Sequence, residues 1–301
     1  MAHDTAAYYD ANTRRFLTFG RGSASRAIHR AVWAPGVTSR IEAMHYVNDL
    51  VLSELRGLTG SGSGPPAVAV DLGCGVGGTV SYLEQHLPAT YYGITNSAVQ
   101  QDIAARAAAD RGSQATFRVD DHGDPELYSS RLPAGGVDLV YMIESFVHAV
   151  DPDVVIQGAA QVLRHGGRLV ICDDLLTTES ARHTEPVVTF RDGWHASGLL
   201  TERDLAQRAA SVGLALRESR DLTSYVELRR PRDKVIRLIA PWIPRLGLRG
   251  PFWQNMHGGD ALQRALLGGL IAYRYLVFEA SSSSSESSGS PSDSSTRPFL
   301  T

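Results

Sequence analysis

Lysine is almost missing from this 301-residue chain: Lys234 is the only one, and the remaining basic charge is arginine. A coding bias accounts for this, so it carries little functional weight. Cysteine is nearly as scarce. Cys74 lies in a Gly-rich turn and Cys172 in an apolar run. Two isolated cysteines make neither a disulfide framework nor a cysteine metal cluster, and they predict a reducing compartment, the cytoplasm. No run of about 18 apolar residues occurs, so no transmembrane helix is expected. The opening "MAHDTAAYYD" has no basic start followed by an apolar core, so no signal peptide is expected. Excess charge is also lacking. The net charge of −3 gives no bulk attraction to nucleic acid or an anionic membrane. No basic stripe interleaved with aromatics stands out, and a nucleic-acid partner is not expected. The expected partner is a small molecule; association with a second copy is left open.

What is present is an ordinary globular balance, 43% hydrophobic and 20% charged. The Ser-rich end, 281–301, has nothing to bury and reads as disordered. "TGSGSGPP" (59–66) is a linker. Before it, "TSRIEAMHYVNDLVLSEL" (38–55) has helical spacing, with Thr38 and Ser39 as cap candidates. After it, strands and helices alternate. Strands are expected at 67–71, 90–95, 115–119, 137–143, 168–173 and 272–280. Helices are expected at 79–87, 97–112, 151–167 and 201–213. Apolar strands alternating with helices predict an α/β fold with a parallel, doubly wound sheet. Residues 178–200 read as a long connection rich in aromatic and charged residues. Residues 229–270 read as a helical background broken by tryptophan and proline. Residues 1–58 are taken as an N-terminal helical cap, 67–280 as the cofactor-binding domain, and 178–200 and 229–270 as cap inserts.

"VDLGCGVGG" (70–78) places Gly73, Gly75 and Gly78 between a strand and a helix. This spacing is also the dinucleotide fingerprint, and alone it is weak. Asp71 ends the strand before the first glycine. A carboxylate there repels a pyrophosphate but suits a cation. The second strand ends "YGIT" (92–95), without the acid a nicotinamide enzyme places on the ribose.

The glycine segment resembles the first motif of class I S-adenosylmethionine (SAM)-dependent methyltransferases. "GITNSAVQ" (93–100) is similar to a segment of carbon-methylating members such as the sterol, tocopherol, geranyl diphosphate and cyclopropane-forming enzymes. The resemblance covers residues 67–175. It implies a Rossmann-like fold with a mostly parallel seven-stranded sheet and a helical cap, and SAM as cofactor. It implies that Asp71, Gly73, Gly75, Thr95, Asn96 and Gln100 lie beside that cofactor. In "VDDHGDPEL" (119–127), it implies that Asp120 or Asp121 contacts the adenine. An ordinary helix cap at Ser97 also explains part of the pattern.

"YMIESFVHAVD" (141–151) puts an acid at the end of a buried strand. Glu144, Ser145 and His148 resemble an element of the sterol and tocopherol enzymes. In a doubly wound sheet this is the ligand-binding edge. The chemistry gives the acid a use. An alkene that attacks an electrophilic methyl becomes a carbocation, and a carboxylate stabilises that cation and then removes a proton. Glu144 is therefore the expected general base; the alternative is that it bonds backbone amides or anchors the cap. His148 orients Glu144, contacts a substrate head group, or is a satisfied helix histidine.

Aromatic faces suit a carbocation. Candidates are Tyr8, Tyr9, Phe16, Trp33, Phe190, Trp194, Phe252, Trp253 and Tyr273, each otherwise plain packing. The segment 8–36 resembles the entry segment of sterol-type enzymes and holds Arg14, Arg15, Arg21, Arg26, His29 and Arg30. Arginine forks suit phosphate. This points to an isoprenyl diphosphate acceptor accompanied by Mg²⁺, with Tyr9, Phe16, Arg14, His29, Phe190, Trp194 and Trp253 lining its pocket. No protein metal ligand is assigned. The alternatives are an O- or N-methyltransferase of a small metabolite, a sterol-type C-methyltransferase, and a SAM-binding protein without catalysis.

Overall fold

The computed structural model describes residues 29–59, 65–228 and 250–281, together with positions 233, 236–238 and 242. The Ser-rich tail, the 60–64 part of the linker, residues 1–28 and most of 229–249 lie outside the described residues.

The first helix, α1 (Arg40–Leu58), starts at Ser39. Its hydroxyl accepts from the Glu42 amide, and Glu42 reaches back in a capping box. Strands and helices then alternate: β1 (Val68–Leu72), α2 (Gly78–His86), β2 (Thr90–Thr95), α3 (Ala98–Ala109), β3 (Thr116–Val119), β4 (Val137–Ile143), α4 (Pro152–Val162) and β5 (Leu163–Leu176). They are followed by α5 (Glu185–Trp194), α6 (Glu202–Ser211), β6 (Leu214–Asp221), α7 (Pro251–Leu267) and β7 (Ile271–Ala280). The seven strands form one sheet in the order β3-β2-β1-β4-β5-β7-β6. All neighbouring pairs are parallel except those made by β7, which runs antiparallel to β5 and β6.

Strand alternation sends side chains to two faces. On one, Leu139, Tyr141, Val170, Cys172, Tyr273 and Tyr275 pack with Val47, Val51 and Leu55 of α1 and Leu83 of α2. On the other, Val140, Met142, Leu169, Ile171 and Phe278 pack with Ile156 and Ala159 of α4 and Leu205 of α6. A third cluster joins α5 and α7 to the ends of β5 and β7 through Val187, Phe190, Ala261, Leu176 and Ile271. The two helices meet where Gly193 approaches Gly258; a Cβ on Gly193 would lie 2.9 Å from the Gly258 Cα.

Four expectations are corrected. The helix expected at 151–167 stops at Val162, and β5 begins at Leu163 rather than at 168. The reason is the pairing of Leu163 with Val137, after which Gly166 turns at φ 72°. The connection expected at 178–200 contains α5, opened by Pro186 in its first turn. Strand β6 was not foreseen. It is an edge strand whose buried end is Leu214, followed mostly by charged or exposed residues.

Gly158 in α4 faces the fully buried Tyr128 ring, and a Cβ there would overlap it. Alanine in an exposed helix gains about 1 kcal/mol over glycine. Here the overlap dominates, and Gly158→Ala is expected to destabilise the chain by about 1–3 kcal/mol. Urea unfolding checks this; a rise in the unfolding midpoint would refute it.

Candidate active site

The loops that follow β1 to β5 lie side by side at the carboxyl edge of the sheet. After β1, Gly73 turns at φ 95°, and the amides of Gly73 and Cys74 both donate to the Ile94 carbonyl (2.8 and 2.9 Å). Gly75 and Gly77 also have positive φ, 53° and 76°. Any Cβ on Gly73 would overlap the Ser145 side chain, so the loops after β1 and β4 are in contact. Ser145 fastens them further by donating its hydroxyl to the Leu72 carbonyl (2.6 Å).

Asp71 is 4% exposed and pairs in register with Gly93 and Tyr141. Burial pushes its carboxyl up to about 8. The Tyr141 hydroxyl, also buried, faces that carboxyl and partly offsets the effect of burial on it. A buried acid beside a buried phenol suits a ligand that brings a cationic donor.

The loop after β2 is tied into the start of α3. Thr95 Oγ1 donates to Gln100 Oε1 (2.8 Å), and Ser97 caps α3 by accepting from the Gln100 amide (3.1 Å). Asn96 is half-buried between them. The loop after β3 separates its two acids. Asp120 is engaged by Arg131 (2.6 Å). Asp121 accepts from the Gly123 amide (2.8 Å) and lies 3.3 Å from His122 Nδ1, whose bond holds the carboxyl below its ordinary range. His122 Nε2 lies 3.1 Å from the Ser145 carbonyl, so this loop also leans on the one after β4.

Glu144 stands at the tip of β4 with φ 53°, one of two non-glycine residues with positive φ among those described. For an L-residue that conformation costs about 1–2 kcal/mol. Its amide donates to the Cys172 carbonyl (2.9 Å). Its Oε1 accepts from the Arg30 amide (2.8 Å) and the Tyr273 hydroxyl (2.9 Å). Among the described residues, no hydrogen bond reaches Oε2. The Arg30 guanidinium makes a two-pronged pair with Asp174 (2.7 and 2.5 Å), brings its Nε within 3.8 Å of Glu144 Oε1, and lies 4.8 Å over the Tyr273 ring. Asp173 accepts from the amides of Val147 and Asp174 (2.9 and 2.8 Å), and burial pushes its carboxyl up to about 8.

Residues 70–171 match the family model described as "Methyltransferase domain". A methyltransferase domain thus occupies residues 70–171. The chain is 35% identical over 224 residues to a protein of Oryza sativa subsp. japonica named a probable chloroplastic tocopherol O-methyltransferase. That match covers 70% of this chain and 60% of the relative. The fold resembles a geranyl diphosphate methyltransferase solved with GPP and sinefungin (TM-score 0.70, 19% identity, covering 92% of this chain and 97% of that one). It also resembles the geranyl diphosphate C-methyltransferase of Streptomyces coelicolor A3(2), solved with Mg²⁺, geranyl diphosphate and S-adenosyl-L-homocysteine (TM-score 0.68, 16% identity, 92% and 97%).

The methyltransferase domain brings Asp71, Gly73, Gly75, Thr95, Asn96, Gln100, Asp120, Asp121 and Glu144 to one edge of the sheet. The expected acceptor pocket fares differently. Phe190 is fully buried in the third cluster. Trp194 packs against the same cluster, and its indole N–H donates to the Asn255 carbonyl (3.0 Å). Trp253 is half-buried, edge-on to Phe252. His29 Nε2 lies 3.0 Å from Asn48 Oδ1, which also accepts from Thr79 (3.1 Å); it serves the joint between the cap and α2. Arg30, offered as a phosphate fork, is neutralised by Asp174. Tyr9, Phe16, Arg14, Arg15, Arg21 and Arg26 lie outside the described residues. His148 sits on the turn Phe146–His148 with Nδ1 3.5 Å from the His195 carbonyl. Burial pushes its imidazole down to about 4, so near pH 7 it is neutral. Asp173, Asp174 and the hydroxyl role of Tyr273 were missed. The acids "DD" at a strand end were the available signal.

Asp71 gives the domain a pH signature. An unfolded aspartate titrates near 3.9, and the folded one near 8. Between these values the folded chain holds a proton that the unfolded chain has released. Stability is therefore full below about pH 4 and lost as pH rises towards 8. Asp173 adds a loss of the same sign. His148, held down to about 4, opposes these losses below about pH 6.5, so in the ligand-free protein Tm is expected to fall most steeply from pH 6.5 to pH 8, and Asp71→Asn to cut that fall to about half. A slope unchanged by the substitution would count against a buried, protonated Asp71.

Proposed function

We propose that the chain is a SAM-dependent methyltransferase that adds a methyl group to an alkene carbon of an isoprenoid, with a prenyl diphosphate as acceptor and Glu144 as general base. The observation that carries this reading is the Glu144 carboxylate. It is held in a strained conformation at the strand tip, anchored through one oxygen, with the other open to a proton. The likeness to geranyl diphosphate enzymes supports the fold of such a site.

The residues present fit the cofactor. Gly73 and Gly75 both turn at positive φ, leaving the loop backbone without side chains at those two points, and the buried Asp71 suits an ammonium. Thr95, Asn96, Gln100 and one of Asp120 and Asp121 complete the set, with Asp121 the less committed of the two acids. When bound, SAM supplies the methyl as an electrophile, the carbon–sulfur pair staying on sulfur while the acceptor's π pair forms the new carbon–carbon bond. Glu144 then faces a cation on the neighbouring acceptor carbon. Its charge stabilises that cation, and Oε2 takes the adjacent proton. The released C–H pair restores the alkene. Mg²⁺ enters as a companion of the substrate diphosphate. Among the described residues no group of three or more His, Cys, Asp or Glu is placed to hold a metal ion.

A second reading is O-methylation of a small metabolite, favoured by the O-methyltransferase names of the Oryza sativa relative and of a ubiquinone-biosynthesis relative from Cupriavidus pinatubonensis. There Glu144 deprotonates a hydroxyl.

An acceptor panel of prenyl diphosphates, sterols and phenols, run with and without Mg²⁺, separates the readings. Mass spectrometry is expected to find S-adenosylhomocysteine and a methylated prenyl product, and NMR to place the methyl on carbon. A methyl on oxygen would establish the second reading instead. Glu144→Gln is expected to lower kcat about 10²- to 10⁴-fold while SAM binding by calorimetry stays within twofold. Undiminished turnover in that variant would remove the general-base role.

A further inference from the structure

We propose that Tyr273 is a positioning residue for methyl transfer: its hydroxyl, with the Arg30 amide, pins Oε1 of Glu144 so that Oε2 alone receives the substrate proton. This rests on reading Glu144 as the base.

Tyr273 is wholly buried and lies on β7, in register with Asp174 of β5. Nine consecutive pairs fix β7 against β5, from Arg168–Glu279 to Leu176–Ile271, so the sheet sets the height at which the phenol stands. The ring is held on one side by the Arg30 guanidinium, 4.8 Å from its centroid. Burial and the nearby acids hold the phenol well above its ordinary value, so it stays a donor at any working pH. A buried phenol usually finds a carbonyl. This one instead donates to a carboxylate whose own backbone is strained.

The second donor comes from the other end of the chain. Arg30 is held in place by its bidentate pair with Asp174, which frees its amide to point at Glu144 Oε1. The two donors meet at one oxygen, so the carboxylate cannot rotate without losing both bonds. A general base needs its lone pair aimed at one hydrogen, and a misplacement of about 1 Å can cost about 10²-fold in rate. A freely rotating carboxylate would also leave the cation exposed to water or to proton loss at another carbon.

Tyr273→Phe keeps the ring and the arginine contact and removes only the hydroxyl. Its expected effect is a kcat lowered about 10²-fold, with KM for SAM and acceptor within twofold. The share of water-captured or isomeric product should rise. Tyr275→Phe is the control. Its buried hydroxyl sits on the same strand face and has no partner among the described residues, so activity should stay at wild-type level. A Tyr273→Phe enzyme with wild-type kcat and product ratio would overturn the proposal, as would a Tyr275→Phe enzyme impaired in the same way. A crystal structure of Tyr273→Phe supplies a readout independent of turnover. A Glu144 carboxylate that swings away supports the clamp, and one that stays in place refutes it. If the wild type turns over no acceptor at all, the methyl-transfer reading falls, and the crystal structure still decides whether Tyr273 holds Glu144.

Discussion

Ser145 against Gly73 is the contact on which the site depends. The serine hydroxyl binds the end of β1, its carbonyl takes His122 from the loop after β3, and its backbone continues from Glu144. Three loops that each follow a different strand are thereby locked at one point. The contact exists only because position 73 lacks a Cβ and can turn at φ 95°. The glycine therefore has two jobs. It makes the turn after β1 and admits the serine beside it. A residue that met only the turn requirement would still push Ser145, and Glu144 with it, out of place.

Around that point the domain concentrates acid. Asp71, Glu144, Asp173 and Asp174 stand at the carboxyl ends of β1, β4 and β5, and the two aspartates of β5 are almost fully buried. Removing charges from water is expensive unless they are paired or protonated. The chain uses both solutions. Asp174 pairs with the Arg30 guanidinium, while Asp173 and Asp71 are driven towards their neutral forms. Glu144 keeps about a fifth of its side chain exposed; its Oε1 accepts from the Arg30 amide and the Tyr273 hydroxyl and lies 3.8 Å from Arg30 Nε, so it shares that guanidinium with Asp174.

The central strands were legible because they are short apolar runs buried on both faces; β2 and β4 have the bounds read from the sequence. Edge strand β6 was not, since Arg217, Glu218, Arg220 and Asp221 mask the alternation of Leu214 and Leu216. In α5, Val187, Phe190 and Trp194 recur at helical spacing. That spacing marks a face turned to the core, the plain packing that the sequence reading kept as the alternative to pocket lining. Glu144 could be found because an acid ending an apolar run is conspicuous. Its partners could not. Arg30 and Tyr273 are 114 and 129 residues away in sequence. Only the strand order β4-β5-β7, with β7 inserted antiparallel, brings them to one carboxylate.

The antiparallel strand thus does more than close the sheet. Were β7 parallel, the end of the strand reached after Ile271 would lie at the carboxyl edge. As built, the edge receives its beginning, where Tyr273 is the third residue. The segment around Arg30 arrives from the opposite end of the chain and bonds the same oxygen. Glu144 is consequently completed only when the N-terminal segment and the last strand are both in place. Its strained backbone, worth about 1–2 kcal/mol against the fold, is held by those distant donors and by Cys172 rather than by local geometry. The carboxylate is a product of the whole topology, and its aim is set by residues that need not touch the acceptor.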